Sequence, residues 1–262
     1  MRLGPLAAAV LALWTGAPIA TTPDPAPPRL PVRIETEELS AAGGVTLRTW
    51  HYRPVAATSS GVILVHDWRE NGRACLHPLA LELAQSGFEV LLPQLRGHGS
   101  GRETGDDGGL PPQPTPEWVE LLRQDAQRWP ALFSTPVRRF SAVCIGWSGW
   151  LADAWAGAAR PLVAVVWAHP VGAAETWRLS PAASGRRPAA LLLLASRDEL
   201  ARSRVAEALF SRFNTRAELR LYTRGGTGCA LLRAAPVRAG LRSWLRARSA
   251  RLAEREAAPR DR

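Results

Sequence analysis

The stretch that decides the fold is Arg139-Phe140-Ser141-Ala142-Val143-Cys144-Ile145-Gly146-Trp147-Ser148-Gly149-Trp150. Its apolar first half predicts a buried strand, and the residues from Gly146 onward predict a tight turn into a helix. Gly-x-Ser at the end of such a strand is typical of a turn that presents a serine hydroxyl at the edge of a sheet. Trp150 departs from the pattern Gly-x-Ser-x-Gly, which expects glycine there. The alternative interpretation is an ordinary strand–turn–helix with an exposed serine.

Apolar strands and segments with helical spacing alternate along the rest of the chain. Two strands of alternating polarity, 32–39 and 45–52, predict a hairpin joined through Gly43-Gly44. Continuous apolar strands and helical segments follow, up to a closing helix over 237–254. This order predicts an α/β fold, a mostly parallel, doubly wound sheet with helices on both faces. Carboxyl ends of parallel strands share one edge of the sheet, so we expect these residues to gather there: His66, His98, Ser148, His169, Asp198 and Thr227.

The order of these parts resembles the α/β-hydrolase family. The matching residues follow successive strands: Val65-His66-Asp67, Arg96-Gly97-His98-Gly99, Gly146-Trp147-Ser148, Asp198 and Gly225-Gly226-Thr227-Gly228. The resemblance covers about 32–245, and the short insertion at 171–188 leaves no large lid domain. The layout is most similar to the compact dienelactone-hydrolase-like members, which cleave esters or lactones.

The resemblance implies a catalytic triad with one member missing. Ser148 would be the nucleophile, and Asp198 would orient a catalytic histidine. That histidine belongs in the loop after the last strand, where this chain has Thr227. A threonine cannot take the proton of a serine hydroxyl at neutral pH, and serine is a poor nucleophile without a base.

The resemblance also implies where an oxyanion would bind. The backbone N–H groups of Gly149 and of Asp67 or Trp68 would hold it, because they follow the nucleophile and the third strand. These donors do not depend on the histidine. A chain with the triad broken would therefore keep the means to hold a ligand.

Two functions follow from this pattern. In the first, hydrolysis is lost or weak, and the chain binds a small-molecule ester or acyl ligand without turning it over. In the second, the chain is an active serine esterase with a stand-in base. His169, at the end of the sixth strand, is the candidate because that strand is expected to lie beside the strand that leads into Ser148.

Composition and charge indicate which classes of partner the chain is expected to bind. Of the 262 residues, 46% are hydrophobic and 21% charged, which is typical of a globular domain. The net charge is +10, but every basic residue is arginine, these are dispersed, and no nucleic-acid-binding motif is present. We therefore predict no nucleic-acid partner. No pattern in the sequence implies a metal or an organic cofactor.

The termini and the cysteines bear on location. Residues 1–20 have the charged start and short apolar run of a signal peptide, so we predict a secreted or periplasmic protein, or a membrane-tethered one if the peptide is uncleaved. After its removal no stable membrane insertion is expected. A proline-rich linker (21–31), the α/β domain (32–256) and a tail (257–262) follow. Because the three cysteines are far apart and odd in number, we expect no disulfide framework and no zinc site.

Overall fold

A computed structural model describes residues 29–68, 72–98, 115–155, 158–171, 190–197, 200–213, 217–223, 226 and 228–257. The predicted signal peptide, most of the linker, nearly all of the insertion after the sixth strand, and tail residues 258–262 lie outside these ranges. So do Asp198 and Thr227.

Strands and helices alternate as the sequence predicts. The strands in the described ranges are β1 Val32–Ser40, β2 Thr46–Pro54, β3 Ser60–Val65, β4 Glu89–Pro93, β5 Arg139–Ile145, β6 Leu162–Ala168, β7 Ala190–Ser196 and β8 Ala217–Tyr222. The α-helices there are α1 Gly72–Gln85, α2 Pro116–Arg128, α3 Leu200–Phe213, α4 Cys229–Arg233 and α5 Ala235–Ala257. Helices of the 3-10 type cover Ala42–Gly44, Trp129–Leu132 and Gly146–Trp155.

The described strands form a single sheet in the order β1-β2-β4-β3-β5-β6-β7-β8. β1 pairs antiparallel with β2, and β2 antiparallel with β4, whereas the remaining neighbours are parallel. The N-terminal hairpin and the mostly parallel sheet are therefore confirmed. The carboxyl ends of β3 to β8 lie along one edge.

Helices cover both faces, because successive side chains of a strand point to opposite sides of the sheet. In β3, Ile63 and Val65 pack in a core with residues of α2 and α3. Val62 and Leu64, between them, pack in a second core with residues of α1 and α5. The doubly wound architecture is confirmed by this alternation.

The α2 segment ends earlier than the sequence pattern suggests. Helical spacing predicts one helix over 117–133, but the α-helix stops at Arg128 and a 3-10 turn continues to Leu132. Pro130 explains the change, because proline has no N–H to donate to the helix and its ring clashes with the preceding turn.

The expectation that the cysteines form no disulfide is wrong. Cys75 on α1 and Cys229 at the start of α4 form a disulfide, with their Cα atoms 5.4 Å apart. They are separated by 154 residues in sequence, so only the packing of α1 against α4 reveals the pair. Cys144 in β5 is a buried free thiol.

Candidate functional site

The tight turn after β5 is centred on Gly146. Gly146 has a φ of +56°, a conformation that residues with a side chain rarely adopt. A Cβ atom added there would overlap the carboxylate of Asp67. The Nε1–H of Trp167 donates to the Gly146 carbonyl at 2.6 Å, and the same indole ring lies where a Gly149 side chain would be. Both glycines are therefore required by the packing of the turn.

Ser148 is turned into the protein. Its side chain is 0% exposed. Its Oγ accepts the Ile145 N–H at 2.9 Å and lies 2.9 Å from the Ile145 carbonyl and 3.0 Å from that of Val65. The hydroxyl also interacts with the buried thiol of Cys144, whose pKa burial raises to about 12. Ser148 therefore links the ends of β3 and β5, and no imidazole of the described residues hydrogen-bonds to its hydroxyl.

Asp67, the second residue after β3, reaches across to the turn. Its Oδ1 accepts hydrogen bonds from the backbone N–H of Trp68 at 2.8 Å and of Trp147 at 2.7 Å. Two amide donors from separate segments thus converge on one carboxylate oxygen. The sequence predicts Gly149 as an oxyanion donor after Ser148, and that role stays a prediction; the donor to Asp67 from the turn is Trp147.

His66 is buried beside Asp67 in its neutral form. Its Nδ1–H donates to the Asp67 carbonyl at 2.9 Å, and its Nε2 accepts the Leu95 N–H at 3.4 Å. Burial, with a smaller contribution from the nearby His98, lowers the pKa of His66 to about 3, although the hydrogen bond to the Asp67 carbonyl partly offsets both. The ring therefore adds no charge to the site near neutral pH.

His169, the candidate stand-in base, lies between two strand ends and the segment before α4. It is buried and has a φ of +52°, the only positive φ of a non-glycine residue in the described ranges. Its Nε2 lies 3.1 Å from the backbone N of Ser196, and its Nδ1 lies 3.0 Å from that of Gly228. The ring thus joins the end of β6 to the end of β7 and to the segment before α4.

The remaining predicted triad members, Asp198 and Thr227, lie outside the described residues, and their roles stay predictions. Ser196 and Gly228, which flank them in sequence, both contact the His169 ring. The carboxyl ends of β6 and β7 are therefore brought together as expected.

Tryptophan rings line this edge of the sheet. Trp68 lies with ring centroids 5.7 Å from Trp118, 6.1 Å from Trp147 and 5.4 Å from His98. Trp150, the departure from the glycine pattern, is half-buried, and its Nε1–H donates to the Val171 carbonyl at 3.2 Å. Aromatic faces of this kind can pack against the apolar part of a small ligand.

Sequence reasoning missed the role of the Asp67 side chain. It names Asp67 for its backbone, but the carboxylate is the group that meets the turn. The available signal was an acidic residue at a position where amide donors are expected to converge. No cluster of three His, Cys, Asp or Glu side chains that could hold a metal ion occurs in the ranges described.

Comparison with known proteins identifies the architecture. No family model and no curated protein sequence matches the chain. An esterase from Pyrococcus furiosus superposes with a TM-score of 0.60 at 14% identity, covering 82% of this chain and 92% of that one. The chain has the α/β-hydrolase fold.

Other α/β-hydrolase structures agree. Dienelactone hydrolase from Anabaena variabilis superposes with a TM-score of 0.59 at 18% identity, covering 82% of this chain and 95% of that one. An esterase from Mycobacterium marinum gives 0.59 at 16% identity, covering 87% and 83%. The predicted resemblance is confirmed at the level of the fold, which hosts many activities and does not by itself assign one.

Proposed function

We propose that this α/β-hydrolase-fold protein binds a small ester or acyl ligand and does not hydrolyse it. The observation that carries the proposal is the state of Ser148, which is buried and has its hydroxyl bonded to the backbone of Ile145 and Val65. A nucleophile must reach its substrate and pass its proton to a base. Ser148 has neither access nor an imidazole contact in the described structure.

Two further features support the proposal. The resemblance implies a catalytic histidine where this chain has Thr227, and loss of the base from a serine triad costs on the order of a millionfold in turnover. His169 is placed to anchor strand ends, with both ring nitrogens close to backbone amides. The ester class of ligand is taken from the esterases and the dienelactone hydrolase that share the fold.

Turnover by the unaltered protein tests the catalytic half of the proposal. With p-nitrophenyl acetate and a fluorophosphonate probe, we expect hydrolysis and labelling no greater than for Ser148→Ala. The variant is expected to be less stable by about 1–2 kcal/mol, because buried backbone groups lose a partner. Labelling that Ser148→Ala and His169→Gln both abolish would instead establish an active esterase with His169 as its base.

Calorimetry tests the binding half. Titration with phenyl acetate should give saturable heat, with the ester recovered intact from the cell afterwards. A matched titration of Trp147→Ala should give weaker binding if the aromatic edge of the sheet contacts the ligand. Absence of saturable heat at millimolar ester would contradict the binding role while leaving the loss of turnover in place.

We also propose that the protein is exported. The predicted signal peptide and the Cys75–Cys229 disulfide support the same compartment, because structural disulfides persist in secreted and periplasmic proteins. No helix in the described ranges has the length and apolar character needed to cross a bilayer. Fractionation of cells expressing the full chain should recover it outside the cytoplasm in shortened, oxidised form. Full-length reduced protein in the cytoplasm would contradict export.

A further inference from the structure

The turn after β5 places a different residue at the nucleophile position from the one the motif suggests. In a nucleophile elbow the reactive residue sits on the strained turn between strand and helix. The residue with positive φ at the end of β5 is Gly146. Ser148 lies two residues further on, inside the 3-10 helix, with its hydroxyl directed back at β3 and β5.

The amide donors point to the same residue. An oxyanion pocket in this fold combines the N–H of the residue after the nucleophile with an N–H from the loop after β3. Trp147 follows Gly146, and Trp68 lies in the loop after β3. Their N–H groups are the two that converge on Asp67 Oδ1, at 2.7 and 2.8 Å. The donor pair therefore fits Gly146 as the nucleophile position and does not fit Ser148.

The Asp67 carboxylate fills both the side-chain space of residue 146 and the oxyanion site. Its carboxylate lies in the volume that a Gly146 side chain would need. Its Oδ1 sits on the amide pair, where a negatively charged oxygen is favoured. Gly146 has no side chain, and the Asp67 carboxylate fills the space that such a side chain would take.

We propose that Gly146 holds the nucleophile position of this fold and that the Asp67 carboxylate occupies the space of the missing nucleophile and of the oxyanion. The inference deepens the proposed function and rests on it, since it gives the physical reason why the bound ester is not hydrolysed. We therefore expect the fold to accommodate a side chain at residue 146 only when the Asp67 carboxylate is removed. A nucleophilic side chain at residue 146 should react with an ester only under the same condition.

A stability cycle tests the steric coupling. We expect Gly146→Ala to lower the melting temperature in the unaltered chain and in Asp67→Asn, which keeps the side-chain volume. In Asp67→Ala the same change should cost less, by at least about 4 °C. If Gly146→Ala lowers the melting temperature equally in all three backgrounds, or prevents folding in all three, the proposal is overturned.

A thiol placed at residue 146 or at residue 148 tests directly which of the two holds the nucleophile position. Cysteine is nucleophilic without a strong base, so Gly146→Cys in the Asp67→Ala background should be acetylated by p-nitrophenyl acetate at least about tenfold faster than Ser148→Cys in the same background. Mass spectrometry of the acetylated peptide assigns the site, and Asp67→Ala alone gives the background from buried Cys144. Equal or faster reaction at residue 148 would overturn the proposal.

The two tests separate this inference from the proposed function. Ester turnover by the unaltered protein would defeat the proposed function and is measured without any substitution. The stability cycle and the thiol comparison instead report on the geometry at residues 67 and 146. If the thiol variant does not fold, the cycle with Gly146→Ala decides.

Discussion

At the scale of single residues, burial sets the protonation of His66. Its two ring nitrogens are used as one donor, to the Asp67 carbonyl, and one acceptor, from the Leu95 N–H. That arrangement suits only the neutral imidazole, because the charged form has two donors. Burial, with a smaller contribution from His98, lowers the pKa of His66 to about 3.

The neutral state of His66 predicts a loss of stability in mild acid. Below the ordinary pKa of 6.5 the unfolded chain binds a proton that the folded chain does not bind until about pH 3. The free energy of unfolding should therefore fall by about 1.4 kcal/mol per pH unit across that window. Urea unfolding at pH 6.5 and pH 5 should show a drop about 2 kcal/mol larger in the unaltered protein than in His66→Gln. An equal fall in the free energy of unfolding in the two proteins would contradict a lowered pKa for His66.

At the scale of elements, a largely buried hydrogen-bond network connects the strands at the antiparallel end of the sheet. His51 on β2 bonds to Glu37 on β1 at 2.6 Å and to Glu89 on β4 at 2.8 Å. Glu89 also accepts the backbone N–H of Ser134 at 2.6 Å. Burial acts to raise the pKa of Glu89, but the hydrogen bonds from His51 and Ser134 outweigh it and hold that pKa below its ordinary value.

The network predicts a second loss of stability in acid, in a lower pH window set by Glu89. A carboxylate with a depressed pKa stabilises the folded chain above its ordinary pKa of 4.5, and this contribution is lost as the pH falls through the folded value. Glu89→Gln should therefore cost about 2 kcal/mol at pH 7. The difference from the unaltered protein should shrink below pH 4.5.

The exposed carboxylate Glu207 provides the matched control for this network. Glu207→Gln should change stability by less than about 0.5 kcal/mol at either pH. Thermal unfolding of both variants at pH 7 and pH 4 makes the comparison. A cost for Glu89→Gln that does not depend on pH would show that packing, and not the carboxylate charge, is responsible.

At the scale of the whole molecule, the Cys75–Cys229 disulfide closes most of the domain into one loop. It joins α1, which follows β3, to α4, which follows β8, across 154 residues. Closure of a loop of that length removes much of the freedom of the unfolded chain, worth up to about 5 kcal/mol in the chain-entropy estimate. α4 itself has five residues, too short to form a stable helix alone.

Reduction should therefore weaken the whole fold. The midpoint of urea unfolding should fall on addition of dithiothreitol, and the Cys75→Ser/Cys229→Ser variant should show the lower midpoint with or without reductant. Alkylation of the denatured chain should modify one thiol before reduction and three afterwards. Three modified thiols before reduction would contradict the disulfide.

Much of the fold could be read from the sequence, because the strand and helix patterns are local. The apolar run Gly61–Val65 and the alternation over 45–52 each depend only on neighbouring residues, and each segment lies in a strand of the sheet. The α-helix ends at Arg128, a few residues before the end that helical spacing predicts, because Pro130 interrupts it.

The site itself could be predicted only in part. The sequence alone determined the order of strands and helices, the hairpin and the candidates at the carboxyl edge, since each follows from periodicity or from turn residues. Only the tertiary structure decided that the Ser148 hydroxyl points to Val65, 83 residues away, that Asp67 meets Gly146, and that Cys75 pairs with Cys229. These contacts join residues far apart in the chain, and they arise from the packing of strands and helices that the local pattern of residues does not encode.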